Sequence, residues 1–531
     1  MTNLKSVLLA ATAMGMMAGA AHAQSNGNTA DVEQIQQGNT AAVNQSGSAD
    51  NEAFLLQNGT TNDADIRQSG VGGNIAGVDG NAMTQTGASN VLDVNQAGSG
   101  NEIGTGTAGV DQTVGRNDAT LTQTGTDNTI SNVQQAGRGT SGTNVLTIVQ
   151  GATLNTVTTA SQTGRNNEGS ITQDGGGNLV TSFSQTEVPG TVFGIPVTTR
   201  PGNEATVTQS GEGNILASVS QRSDRLGSKN TLTIDMSGDG NGGGGLSGQA
   251  AASGATASTL SQTGEGNAIG MLVSGTGAQF GVTQSGSDNA ATGITLAGTN
   301  NQLGIRQIGT ENAVSLSTIA GLANNVGIEQ FDFGNDASVS INGVSNGNQV
   351  GISQDGPIGS FGRTNDATVT INNGSDNTFT VQQTSSLFGG NNTATVSLTA
   401  GNSNQLNIDQ TGSFFGERNE ATVTLWGSFN NVGAFGGNDA GSLGLTAGNL
   451  IQTGAGNDIT MSVGDAGASN GNVFAFSQIG DDNMIDGSIN GNGGAGTGIS
   501  TGNQAAVVQA GNGNSATFSQ TGSGNVLGVS Q

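Results

Sequence analysis

Eleven residues separate Asn503 from Asn514, and eleven more separate Asn514 from Asn525. Gln509, Gln520 and Gln531 keep the same step, and between each Asn and its Gln stand two apolar residues: Ala505 and Val507, Ala516 and Phe518, Leu527 and Val529. The unit reads Asn-x-apolar-x-apolar-x-Gln-x-Gly-x-x. Alternate side chains of an extended strand share a face, so the Asn, both apolar residues and the Gln point one way. The remainder, such as Ala510-Gly511-Asn512-Gly513, is turn chemistry, because Gly reaches positive φ without steric cost. Each unit is one strand and one tight turn. That repeat overrides the several domains a 531-residue chain would otherwise suggest.

The same unit runs through most of the chain. Asn28, Asn39, Asn51 and Asn62 are followed in step by Gln34, Gln45, Gln57 and Gln68, enclosing Ala30/Val32, Ala41/Val43, Ala53/Leu55 and Ala64/Ile66. About three dozen units are recognisable, some of them degenerate. A longer period appears further on. Asn365, Asn392 and Asn419 are 27 apart, as are Asn377, Asn404 and Asn431. In the first set an apolar residue (Ile371, Leu398, Leu425) replaces the closing Gln, whereas the second keeps Gln383 and Gln410. Two alternating strand types imply two strands per coil, each stacking on its own kind. The predicted fold is all-β: a two-sheet parallel β-solenoid of strand-turn-strand coils, 22–30 residues each. About 18 coils at the usual strand spacing make a rod roughly 85 Å long.

An interior amide is costly when unpaired, at about 1–3 kcal/mol. Stacking removes that cost, because each Asn or Gln sits above its copy and both donates and accepts along the rod. Asn28, Gln34, Asn39, Gln45, Asn51, Gln57, Asn62, Gln68, Asn503, Gln509, Asn514, Gln520, Asn525 and Gln531 are therefore the candidate inward amide ladder. An apolar content of 32% is low for a globular core, but a solenoid needs only a thin one. Disorder, the other reading of such polarity, gives no reason for phased amides. Phe361, Phe388 and Phe415 are also 27 apart, in the lengthened turns. They form a candidate aromatic row along one edge, either a partner-binding edge or loops covering an apolar strip.

The organisation follows from the repeat. Residues 1–23 read as a signal peptide, with Lys5, the apolar run Val7 to Ala20, and Ala21-His22-Ala23 before Gln24. Repeats occupy 24–185, 203–236 and 259–531, with the 27-residue coils in 365–431. Residues 186–202 carry Pro189, Pro196 and Pro201, which cannot donate to a ladder, and read as an insertion loop. Residues 237–258, with the Gly242 to Gly245 run, read as a flexible break or a degenerate coil.

Cleavage would leave 11 Lys+Arg against 38 Asp+Glu, a net charge of -27 (12 − 1 − 38). Such a balance argues against nucleic acid and anionic membrane as partners. The mature chain would hold no His, Cys or Tyr, which excludes His-based triads, thiol chemistry and the usual zinc sites. The acids are dispersed, with Asp481-Asp482 the one adjacent pair considered for glycan cleavage, so no enzyme activity and no cofactor are expected. Gly238-Asp239-Gly240-Asn241-Gly242 is a weak match to a calcium-binding repeat, leaving weak calcium binding open.

The full unit, Gln-x-Gly-x-x-Asn-x-apolar-x-apolar-x-Gln, resembles the curlin repeat of curli subunits. Good matches run Gln57-Asn58-Gly59…Asn62…Ala64…Ile66…Gln68, Gln85-Thr86-Gly87…Asn90…Leu92…Val94…Gln96 and Gln509-Ala510-Gly511…Asn514…Ala516…Phe518…Gln520. The resemblance implies a secreted functional amyloid that builds or nucleates extracellular cell-surface fibres for biofilm and adhesion. It also implies export through an outer-membrane secretion pore, without membrane insertion. The partners implied are further copies of itself or related curlin-repeat subunits, and the inward amides, among them Gln57, Gln68, Asn514 and Gln520, would govern polymerisation. The chain is several times longer than a usual curli subunit. The repeat begins just after Gln24 and runs to Gln531 without a recognisable cap, as a self-assembling subunit requires. The alternative is a monomeric solenoid adhesin that binds through its lengthened loop edge.

Overall fold

The computed structural model of the chain describes residues 21–23 and 27–531, apart from 48–49, 139–141, 189–190, 193–194, 197–200, 225–226, 316–317, 344, 357–364, 386–391, 414–416, 437–438, 465–468 and 492–501. Phe361, Phe388 and Phe415 lie outside the described residues. Among the described residues the chain passes back and forth between two sheets, one of 19 strands and one of 21, with Ile75–Ala76 and Met83–Ala88, and Glu102–Ile103 and Val110–Thr113, falling consecutively in the larger. Sheet A contains Thr40–Gly47, Asp63–Gly70 and Val91–Ser99; sheet B contains Thr29–Ile35 and Glu52–Thr60. Neighbouring strands are parallel and in register, so Gln45 lies opposite Gln68 and Gln68 opposite Gln96. Among the described residues the antiparallel pairings are Thr191–Val192 with Ile195–Pro196 and the Val78–Asn81 bridge. This is a two-sheet parallel β-solenoid.

Strict alternation explains why the strands form and which way they face. Glu52–Thr60 alternates half-buried and buried residues along its length, with Ala53, Leu55 and Gln57 inward. Many inward faces offer the space between sheets a small residue and then a large one, as in Ala119/Leu121 and Ala205/Val207, and others two large ones, as in Leu146/Ile148, all at most 1% exposed. That pairing fills a core only one side chain deep from either sheet. The turns close by glycine stacking. Gly70 has φ 129° and a Cβ there would run into the Gly98 carbonyl of the next coil, so no other residue fits. The residue just before a ladder Asn often sits in the left-handed region, as Ser89, Asp127 and Asp288 do. Short polar side chains tolerate that conformation best.

Coil length is readable from the ladder spacing. Most coils take 22–31 residues, and three take 36, 41 and 42. The 36-residue coil carries the proline loop. The other two carry segments that leave the coil path and lie against the outer face of sheet B, here termed straps. The first, residues 242–258, includes a short helix, Gly248–Ala252. The second, residues 431–436 and 439–448, includes Asp439–Ser442.

Each strap lies over a column of outward glycines or alanines. Beneath the first are Gly281, Gly304, Gly327 and Gly351, in register in consecutive sheet B strands. A Cβ on Gly304 or Gly327 would collide with the carbonyl of Ala250 or Gln249. Beneath the second are Ala475, Ala506 and Gly528. Outward amides hold the straps: Gly244 N donates to Gln279 Oε1 at 2.7 Å, Ser247 N to Gln302 Oε1 at 2.7 Å, and Ala250 N to Asn325 Oδ1 at 2.6 Å.

Candidate functional site: the amide ladders

The inward Gln of sheet B forms an unbroken file from Gln34 to Gln531. At every step Nε2 donates to Oε1 of the next coil, beginning with Gln34 to Gln57 at 2.6 Å, then Gln57 to Gln85 and Gln85 to Gln112. The file continues through Gln284, Gln307, Gln330 and Gln354 at 2.8 Å per step. It closes through Gln478, Gln509 and Gln531 at 3.0 and 2.9 Å. The three long coils do not interrupt it: Gln185 reaches Gln221, Gln221 reaches Gln262, and Gln410 reaches Gln452. Strand stacking therefore dictates the contact, whatever chain length lies between.

The amides between the two ends of the file are fully used. Gln307 Nε2 also donates to the carbonyls of Ala290 and Asn312, both at 2.9 Å, and so ties the two sheets together at the turn. A net worth of about 0.5–1.5 kcal/mol for each bond makes the file a substantial share of the rod's cohesion. Gln45, Gln57, Gln68 and Gln509 are at most 1% exposed, whereas Gln34 is half-buried and Gln531 exposed.

Two Asn files run beside it with the opposite sense. Asn90 Nδ2 donates back to Asn62 Oδ1 at 3.1 Å, and Asn117 back to Asn90 at 2.9 Å. The backbone N–H commonly joins in, as when Asn51 N donates to Asn28 Oδ1 and Asn62 N to Asn39 Oδ1, both at 3.1 Å. Spare Asn N–H groups reach the glycine-turn carbonyls, for example Asn101 Nδ2 to Gly125 O at 3.2 Å. At the far end Asn514 donates to Asn483 at 3.0 Å and Asn525 to Asn503 at 2.8 Å. Along sheet B this file has one gap, where Ala278 occupies the Asn position and Asn241 Oδ1 accepts from Ala278 N instead.

Sheet A is different. Its Gln file runs through Gln45, Gln68, Gln96, Gln123, Gln150, Gln173 and Gln209, then stops at Met236, where Gln209 Nε2 is left 3.9 Å from the sulfur. From Met236 the column is apolar, through Val273, Leu296, Ile319 and Ile341, then Ile371, Leu398, Leu425, Val463 and Ile489, each at most 1% exposed. Gln returns only at Gln520, opposite Ile489. Its Oε1 is buried without a partner, as are Oε1 of Gln45 and Nδ2 of Asn28 in the opening coils. The local exchange of amide for aliphatic side chain at 365–425 is thus part of a longer switch.

The fourteen ladder residues all point into the space between the sheets, and all but Gln520 meet an amide of an adjacent coil. The docking of the straps and the glycine column lie outside the sequence reading, which takes 237–258, where the first strap falls, as a flexible break or a degenerate coil. Their signal was available in the outward Gly281, Gly304, Gly327 and Gly351, spaced 23 or 24 apart. Among the described residues no group of three or more His, Asp or Glu converges as a metal site would, and Asp239 accepts from Glu212 N at 2.8 Å within a turn. A scan against protein-family profiles matches none, and a search of curated proteins finds no significant relative, so the amide-laddered parallel β-solenoid is what characterises this chain.

Proposed function

We propose that the chain is a secreted structural protein that self-assembles into, or nucleates, curli-like extracellular fibres. The carrying observation is the Gln file from Gln34 to Gln531, because it turns every coil into a template for the next. Thr29–Ile35 and Val526–Ser530 are the outermost strands of sheet B among the described residues, and each offers an unpaired edge. A strand added there continues both the backbone ladder and the Gln file without changing geometry. The dispersed outward acids oppose side-by-side sticking and favour growth along the axis. In this reading the partner is another copy or a related curlin-repeat subunit, reached through an outer-membrane pore, at the cell surface.

The test is seeded assembly of the purified chain lacking residues 1–23. Thioflavin-positive fibres with a meridional reflection at about 4.8 Å are expected. A chain that stays monomeric with seeds between pH 4 and 7 would end the proposal.

A further inference from the structure

The two straps obey one geometry. The helical turn of the first lies over Gln302–Thr310, Asn325–Phe333 and Gln349–Asp355. Counted from Thr259–Glu265, where the chain rejoins sheet B, these are the second, third and fourth strands ahead. The turn of the second strap lies over Gln504–Ala510 and Val526–Ser530, the second and third strands ahead of Asn449–Gly454.

The contacts correspond. On the second strand Gln302 Oε1 accepts from Ser247 N at 2.7 Å, and Gln504 Oε1 accepts from Gly436 N at 2.9 Å. On the third strand Gly327 faces the backbone of Gln249 and Ala250, while Gly528 faces that of Asp439 and Ala440. Ala250 and Ala440 are both 0% exposed. Asp439 therefore stands where Gln249 stands. On the fourth strand the Gln249 amide comes down over Gly351. For the second strap the fourth place lies beyond Val526–Ser530, the outermost sheet B strand on that side among the described residues.

We propose that this place takes Thr29–Ile35 of a second copy of the chain, clamped under the second strap with its Asp31 facing Asp439. The inference rests on the self-assembly reading and names the contact that regulates it. Register follows from the Gln file: Gln531 lies three residues beyond Gly528, and Gln34 three beyond Asp31, so continuing Gln531 onto Gln34 lays Asp31 beside Gly528. The junction then pairs two carboxylates. On the incoming copy Glu33 lies on the same outward face, Asp79 lines the same groove over Phe54 and Leu56, and Glu52 begins the next sheet B strand. Strands 473–479, 504–510 and 526–530, the described strap residues, and the incoming strands 29–35 and 52–60 contain no Lys or Arg. With no counter-ion the pair opposes closure while both acids are ionised, and acidification removes the opposition. The strap is a gate on growth at one end of the rod.

Seeded elongation of wild type, Asp31→Asn, Asp439→Asn and the double variant, from pH 4 to 7, tests this. Asp288→Asn, at an exposed turn position in mid-rod, serves as a control for net charge. At pH 7 each junction variant should elongate about fourfold faster than wild type, the double variant no faster than the better single, and the pH dependence should flatten. The control should keep the wild-type rate and profile. If wild type elongates but either junction variant matches it, or the control gains as much, the clamp is wrong and the assembly reading stands. Wild type that fails to elongate at every pH removes both.

Discussion

Replacing Gln307 by Leu tests whether the ladder is worth what its geometry implies. Gln307 lies mid-rod, 0% exposed, with Nε2 donating to Ala290 O, Asn312 O and Gln330 Oε1, and Oε1 accepting from Gln284. Leucine has a similar volume, so the cost is chiefly polar. Gln284 keeps its two carbonyl partners, but Gln330 Oε1 loses its donor inside the core. An orphaned buried acceptor costs about 1–3 kcal/mol, and the lost net bonds add about 1–2, for a destabilisation of about 3 kcal/mol. A second change, Gln330→Leu, does not repeat the cost. The orphan merely moves to Gln354 Oε1, so the double variant should lose only about 1 kcal/mol more than the single. Denaturant unfolding of the full chain, with amide exchange followed in 302–310 and 325–333, reads both the total and its locality. A cost under about 1 kcal/mol for the single variant, or strict additivity in the double, would refute the ladder argument.

Three further outcomes follow. Met236→Gln extends the sheet A file by one rung from Gln209 and should be neutral or stabilise by up to about 1 kcal/mol, whereas Val273→Gln strands an amide among aliphatic neighbours and should cost about 2–4 kcal/mol; thermal melts distinguish them. Gly327→Ala should lift the first strap while leaving the sheets paired, so limited proteolysis should cut within 242–258 several times faster with far-UV spectra unchanged. Asp336 is raised from its ordinary value by burial and then by Asp366 in the next coil, and Asp458 by burial and then by Glu420. A raised folded-state value favours the protonated fold. Stability should therefore rise as pH falls from 7 through the raised values toward the unfolded ones near 3.8, and Asp366→Asn should flatten that rise in a Tm-versus-pH series.

Much of this architecture was legible because stacking imposes itself on sequence. A Gln at position seven of a unit is best satisfied when its neighbours above and below are Gln, so the period and the inward face declare each other. The two strand types were equally legible, since Ile371, Leu398 and Leu425 break the rule together. The straps were not. Residues 237–258 have the composition of a loose linker, and nothing local says they dock three strands ahead. Gly304 and Gly327 each pass for turn or strand-weakening glycines until the register lines them up into one column. Docking is a property of several coils at once, and a single-coil pattern cannot carry it. The extent of the aliphatic column in sheet A was missed for a related reason: Met236, Val273 and Ile319 sit in degenerate units whose pairing only the fold reveals.

The opposed senses of the Gln and Asn files have a consequence for symmetry. A plane passed between any two coils cuts Gln N–H donors on one side from Gln acceptors on the other, and does the reverse for Asn. The two cut faces are complementary to each other: laid together, they continue every Gln file and every Asn file in its own sense. A two-fold axis across the rod would reverse the strands and lose the parallel register that sets Gln on Gln. Association that continues the files is therefore heterologous, with a screw operation in place of a dyad, and a screw does not close. The molecule has an arrow, carried by side-chain amides as well as by the parallel backbone.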